Sequence, residues 1–318
     1  MALFPLGILS AAGAGSAAPL GVAGYFQSGI DTINVRGSLG DKFTFATDTR
    51  STFTIGNSRR GSSGFANSGV AGYFAGGDNE GGSAVSSVDK FAFPADTKST
   101  LAATLSNTKR DCSGMSDTGV AGYSAGGKTG GGQVSTDVDK FAFPSDTKST
   151  IVATLSNGRG SGASFSNKSV AGYVGGSIDD VYLSTVDKFA FPADTKSTLG
   201  TGLSAARLVP GGMSNYAVAG YFGGGNASGT RVATVDKFAL PSDTRTTLGT
   251  GLSVARSGVN GMNNFGVAGY FGGGENTSGT RVSTVDKFEF PSDTRSTLGT
   301  GLSGGREGAK GFSNEGAI

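Results

Sequence analysis

The chain has no histidine and no tryptophan, and Cys112 is its only cysteine. Without histidine there is no Ser-His-Asp or Cys-His nucleophilic site. There is also no His-ligated zinc or copper and no imidazole general base. Carboxylate and tyrosine chemistry stay open. One cysteine excludes an intrachain disulfide, and Cys112 is expected to be a plain loop thiol. Charge is sparse and balanced: 16% of residues, 26 basic against 24 acidic, net +2. Nucleic-acid-binding domains carry a basic stripe, so no nucleic-acid partner is expected. Residues 1–20, MALFPLGILSAAGAGSAAPL, are apolar but lack the basic start of a signal peptide. Pro5, Pro19 and several glycines interrupt them, which argues against the run of about 20 helical apolar residues that spans a bilayer. No membrane insertion is expected.

Glycine is what the chain has most of, 57 residues of 318, far above the usual share of roughly 7%. The glycines recur with Val, Phe, Tyr and Thr, which reads as tight turns between strands. The run Val-Ala-Gly-Tyr-Phe-Gly-Gly-Gly at 218–225 has counterparts along the chain, with its tyrosine at Tyr25, Tyr73, Tyr123, Tyr173, Tyr221 and Tyr270. A fixed period near fifty residues means one unit copied in tandem, here six times. Each unit holds four segments of strand length. In the second unit they are the glycine-tyrosine run (70–77), Val-Asp-Lys-Phe-Ala-Phe (88–93), Lys-Ser-Thr-Leu-Ala-Ala-Thr-Leu (98–105), and Gly-Met-Ser-Asp (114–117) leading into the next unit. Alternation along a strand puts Phe91 and Phe93 on one face and Val88 and Ala92 on the other. A bulky face and a small face let neighbouring units nest. Four antiparallel strands per unit, closed radially, predict an all-β, six-bladed propeller over residues 21–318, with 1–20 as an apolar N-terminal docking arm held by its own ring or by a partner.

These residues resemble the kelch repeat. The kelch pattern has a hydrophobic strand ending in Gly-Gly, then an aromatic-Asp element, then an Arg before the next unit. Gly-Gly stands at 76–77, 126–127, 175–176, 223–224 and 272–273, replaced by Gln27-Ser28-Gly29 in the first unit. Phe93-Pro94-Ala95-Asp96 resembles the aromatic-Asp element. The Arg recurs as Arg110, Arg159, Arg207, Arg256 and Arg306, with Arg59 or Arg60 in the first unit. The outer-strand Trp of kelch repeats is missing. Phe53, Leu101, Ile151, Leu199, Leu248 and Leu298 hold its place. The opening Met-Ala-Leu-Phe-Pro-Leu-Gly-Ile-Leu-Ser is similar to the openings of structural proteins of marine tailed bacteriophages, whose virion appendages also carry near-identical propeller repeats. That resemblance implies a virion protein.

Residues needed identically in every unit are expected to serve the scaffold. Six Asp-Lys pairs, from Asp41–Lys42 to Asp286–Lys287, are read as bonds to the neighbouring blade, and the recurring Arg as an inter-blade donor. The glycine runs lack the Lys-Ser/Thr of a phosphate loop and precede strands, not helices. No calcium-loop pattern is present, and sialidase Asp-boxes would need a Trp. No enzyme activity, catalytic residue, metal or cofactor is expected.

Function is expected where the copies differ. Those places are the loops between the first and second segments (27–40, 78–87, 128–137, 177–185, 226–234, 275–284) and the lead-in loops to the fourth (57–63, 107–113, 157–161, 205–211, 254–260, 304–310). In a four-stranded meander both classes emerge on one face, and the other face carries short, nearly uniform turns. The candidate binding residues are Asp31, Asn34, Arg36, Asp78, Asn79, Glu80, Lys128, Asp179, Asp180, Tyr182, Asn226, Arg231, Glu275, Asn276 and Arg281. The expected role is a non-enzymatic structural protein of a bacteriophage virion. Its arm would join other virion proteins in a larger assembly, and its variable face would contact neighbours or a host surface glycan. The alternative is a cellular kelch-like module binding protein or carbohydrate. Residues 311–318 match a fourth segment with nothing after it, and the first unit lacks one before Gly21. Residues 311–316 are therefore predicted to be the innermost strand of the blade containing Tyr25.

Overall fold

The computed structural model describes residues 23–177 and 182–314. The expected arm, residues 1–20, lies outside them. The described chain is all-β, with six sheets of four antiparallel strands set in a propeller ring. No helix among the described residues is long and apolar enough to cross a membrane.

Blade 2 shows the pattern. From the axis outward its strands are Ser63–Asn67, Ala71–Ala75, Val88–Ala92 and Thr97–Thr100. Blade 1 takes its innermost strand from the other end of the chain. Gly311–Ser313 pairs antiparallel with Ala23–Phe26, with Tyr25 opposite Phe312. The closing strand is where the repeat permutation put it. Two segments are shorter than the sequence suggests. The outermost strand of blade 2 stops at Thr100, because residues 101–105 turn inward: Leu105 is buried with Tyr73 and Val88 of its own blade and Phe141 of the next. Val70 belongs to the turn before the second strand and is 48% exposed.

The core is divided among the blade interfaces. Met115, Tyr123 and Val138 of blade 3 pack with Val174 and Phe189 of blade 4, and five further clusters repeat the arrangement around the ring. Phe91 faces the preceding blade and Val88 the following one, as strand alternation requires. The glycine of each Ala-Gly-Tyr makes the fit possible. A Cβ on Gly220 would run into the Phe165 ring, and one on Gly24 into Met262 across the closing interface. A large inner-strand side chain of one blade thus fills the space left by glycine on the next, and close packing there tolerates no extra methyl group.

Candidate functional site

The repeated polar residues form two scaffold devices. The first is a clasp between blades. Tyr73 Oη donates to Asp146 Oδ1 at 2.8 Å and Lys90 Nζ donates to Asp146 Oδ2 at 2.6 Å. Asp146 is the left-handed residue (φ 56°) of the next blade's third-to-outer turn. The same three-residue contact recurs at all six interfaces, and Tyr270 and Lys287 close the ring on Asp48. Each Lys also lies over its Tyr ring, 5.2 to 5.8 Å from the centroid, a favourable cation–π distance. Burial, and then the bond to Asp146, push the Tyr73 phenol well above its ordinary value. The lysines do serve the scaffold, but through an aspartate side chain of the neighbour instead of its backbone.

The second device anchors the segment that crosses from one blade to the next. Arg159, in the crossover into blade 4, donates to Asp187 at 2.9 Å and to the Thr185 carbonyl at 3.2 Å. Both side chains of that ion pair are fully buried. Burial lowers the guanidinium pKa, and Asp187 opposes the shift. Arg207–Asp236, Arg256–Asp286 and Arg306–Asp41 repeat it. In blade 2 the anchor is Arg59, 3.2 Å from Asp89. In blade 3 it is Lys109 and not Arg110: Lys109 is buried 3.5 Å from Asp139, while Arg110 turns outward to Asp78 at 3.3 Å. The run Lys-Arg offers two cations in adjacent places, and the strand's alternation points only the first inward.

The two variable loop classes share one face, here the loop face. Their backbones pair there: Lys109–Arg110 with Lys128–Thr129, Ile30–Asp31 with Arg306–Glu307, and Arg256–Ser257 with Glu275–Asn276. Most predicted binding residues engage one another across blades. Arg36 reaches Asp78 at 3.6 Å and the Glu80 carbonyl at 3.4 Å. Arg231 pairs with Glu275. Arg281 bonds Glu307 at 3.0 Å, the Asp31 carbonyl at 2.8 Å and Asn34 Oδ1 at 2.8 Å. Tyr182 Oη accepts from the Gly229 amide at 2.9 Å. Asn79 and Asn276 cap their own loops through their Oδ1 atoms. Asn226 pairs with Arg231 in a short ladder, and Lys128 is half-buried beside Arg110. Asp179 and Asp180 lie outside the described residues. The face is therefore a stitched belt of ion pairs, with one polar cleft of about 390 Å³ lined by Asn57, Arg59, Asn79 and Glu80.

The channel along the axis offers no room. Inner-strand glycines such as Gly64, Gly114, Gly212 and Gly261 crowd it to a cavity of about 20 Å³, space for about one water molecule. Cys112 is buried, and burial pushes its thiol up to about 12, which leaves it protonated and unreactive. Among the described residues no group of three acidic or cysteine side chains is arranged to hold a metal.

The opposite face, here the turn face, is less uniform than the sequence suggests. Its inner turns have equal lengths, but the residue after the inner-strand Asn or Asp runs Ser68, Thr118, Lys168, Tyr216, Phe265. Tyr216 and Phe265 lie with ring centroids 4.6 Å apart and line a depression of about 510 Å³ with Ser68, Lys168 and Val170. Val70, Val120, Val170, Val218 and Val267, one per turn, are each 42–53% exposed. The signal was readable: a valine recurring beside every described turn, and one turn position that changes to aromatic in the last two of the five turns.

Comparisons agree with the fold. No family model matches the chain, and no curated protein matches it. Against solved structures, 313 chains are similar. One is the structure of YjhT, at TM-score 0.69 and 13% identity over 86% of this chain and 97% of that one. At that identity the likeness shows the six-bladed β-propeller fold alone, a frame that hosts unrelated functions.

Proposed function

We propose that this chain is a non-enzymatic, kelch-like structural protein of a bacteriophage virion, anchored by its turn face and presenting its loop face outward. The observation that carries this reading is the position of the chain ends. Ala23 and Asn314, the two ends of the described chain, bond each other on the turn face, where the other five blades have a turn. Ala23, the first described residue after the apolar segment, therefore sits on the face opposite the variable loops. The recurrent Tyr, Lys, Arg and Asp are committed to the ring, which supports a scaffold role over a catalytic one. The opening resemblance to marine phage structural proteins supports a virion setting. Attachment runs through the turn face and the segment leaving it. The loop face, with its polar cleft, meets neighbouring subunits or a host surface glycan. The test is incorporation: a chain lacking residues 2–20 should fold, with unchanged circular dichroism, and be missing from particles assembled in its presence. Normal incorporation of the shortened chain would refute the proposal, as would turnover of a glycan that one carboxylate substitution abolishes.

A further inference from the structure

The turn face has an apolar patch of its own. It carries the exposed valines and the depression walled by Tyr216, Phe265 and Val170. Large exposed apolar patches mark interaction sites, and the sequence supplies a matching occupant. The first 30 residues contain no charge, and the large side chains of the N-terminal segment gather at Leu3, Phe4, Leu6, Ile8 and Leu9. Residues 10–18, SAAGAGSAA, are all small. We infer that residues 3–9 dock on the turn face of their own ring, in the depression between Tyr216, Phe265 and Val170, with residues 10–22 as the leash.

Three observations carry this. The leash starts on the right face, because Ala23 is tied to Asn314 at the missing turn of blade 1. It also has the right length. Thirteen flexible residues span about 20 Å on average. The depression is lined from Ser68 of blade 2 across to blades 4, 5 and 6, and Gly69, next to Ser68, donates to the Asn314 carbonyl at 2.8 Å, so the near wall lies close to Ala23 and the far wall is within the reach of the leash. The chemistry also matches: an uncharged aromatic and aliphatic cluster meets the exposed Phe265 ring and Val170, with the buried Tyr216 behind them. A second copy is the competing occupant. A short flexible tether holds its own segment at an effective concentration of order millimolar, so the tethered segment fills the site first in dilute protein. The inference does not depend on the virion reading, and under that reading the docked residues 3–9 form part of the turn face through which the particle is joined.

The absence of tryptophan makes the test direct, because Phe4→Trp installs the only indole in the chain. We expect blue-shifted emission and acrylamide quenching severalfold weaker than in urea, independent of protein concentration. Phe265→Ala and Val170→Asp alter side chains that are 44% and 45% exposed, so each should keep the melting midpoint. Each should also restore solvent-like quenching. Solvent-like quenching in Phe4→Trp alone would overturn the inference. So would protection that appears only at high concentration, which assigns the site to a second copy. Protection surviving both pocket substitutions would overturn it too, because the segment would then rest elsewhere.

Discussion

Phe312 sits close to the end of the sequence, where truncation is normally tolerated, yet the closed ring makes it a core residue. Its side chain is fully buried. Its ring lies 4.9 Å from Tyr25 of its own blade and 4.8 Å from Phe74 of the next. It also fills the space beside Gly72, which has no side chain of its own. Phe165, in the middle of the chain, has the same surroundings: Tyr173 at 4.5 Å, Phe222 at 5.1 Å, and Gly220 beneath it. Truncating a buried Phe to Ala costs about 3–5 kcal/mol, lost transfer energy plus the cavity. A closed ring makes that cost equal at the two sites. Phe312→Ala and Phe165→Ala should each lower the unfolding free energy by about 3–5 kcal/mol, a large share of the roughly 5–15 kcal/mol available to a folded protein. Urea denaturation at constant slope reads the difference from the midpoints. A Phe312→Ala midpoint within about 0.5 kcal/mol of the parent, beside a strongly destabilised Phe165→Ala, would mean that the last strand is not part of the cooperative core.

Three more outcomes follow from the interfaces. Gly220→Ala overpacks against Phe165 and should cost about 1–3 kcal/mol, whereas Gly200→Ala has nothing within 4 Å and should be neutral or stabilise by about 0.4–1 kcal/mol; chemical denaturation of both variants decides. Asp236→Ala leaves the fully buried Arg207 without its partner and should cost about 3–5 kcal/mol, with an Asp236→Ala/Arg207→Met double variant recovering part of the loss in a thermodynamic cycle. Tyr25, Tyr73, Tyr123, Tyr173 and Tyr221 all have phenols raised above the ordinary 10.0, by burial first and by their aspartate second. Folding therefore favours the neutral phenol, so the stability this confers is present below about pH 10 and lost as pH climbs above it. Absorbance titration should show these five ionising together with loss of β-sheet circular dichroism, and independent ionisation near pH 10 in a still-folded chain would count against the clasps.

What could be read from the sequence was whatever repeats within one unit. The spacing of Tyr25 to Tyr270 gave the blade count, and the unpaired fourth segment at 311–318 gave the closure. What stayed hidden depends on contacts between units. Tyr73 and Asp146 are 73 residues apart, about one and a half repeats. Every copy contains both residue types, so the sequence does not say whether a tyrosine grips its own unit's aspartate or the next one's. Side-chain direction along a strand is the other feature hidden in the sequence. Lys109 and Arg110 are equivalent by charge, and only the pleat decides that Lys109 turns in to Asp139. Val70 looks like the first residue of a buried strand. Its amide and carbonyl instead close a turn, bonded to the Asn67 carbonyl and the Phe93 amide, and its side chain is left outside.

The exposure of Val70 bears on function. A propeller of near-identical blades must satisfy six equal interfaces at once, so a substitution in a clasp, an anchor or a glycine contact affects closure of the whole ring. Variation is cheap only where a residue touches no neighbouring blade's core. On the loop face the variable residues bind one another. Arg36, Arg231 and Arg281 each bridge to another loop, and the bridges are partly solvated. Pairs of that kind contribute about 0–1 kcal/mol each. They therefore shape a surface more than they stabilise a fold, and they leave few charges unengaged for a ligand. On the turn face the opposite holds. A turn closed by backbone bonds needs no particular side chain at its first residue, yet two consecutive copies place aromatics there, Tyr216 and Phe265, in contact with each other. The valine beside them is not required by the turn either, yet it recurs in every described turn, at a cost in exposed apolar surface. Phe265 and the turn valines are exposed on the side where Ala23 and Asn314 meet, and the docking we infer for residues 3–9 covers them.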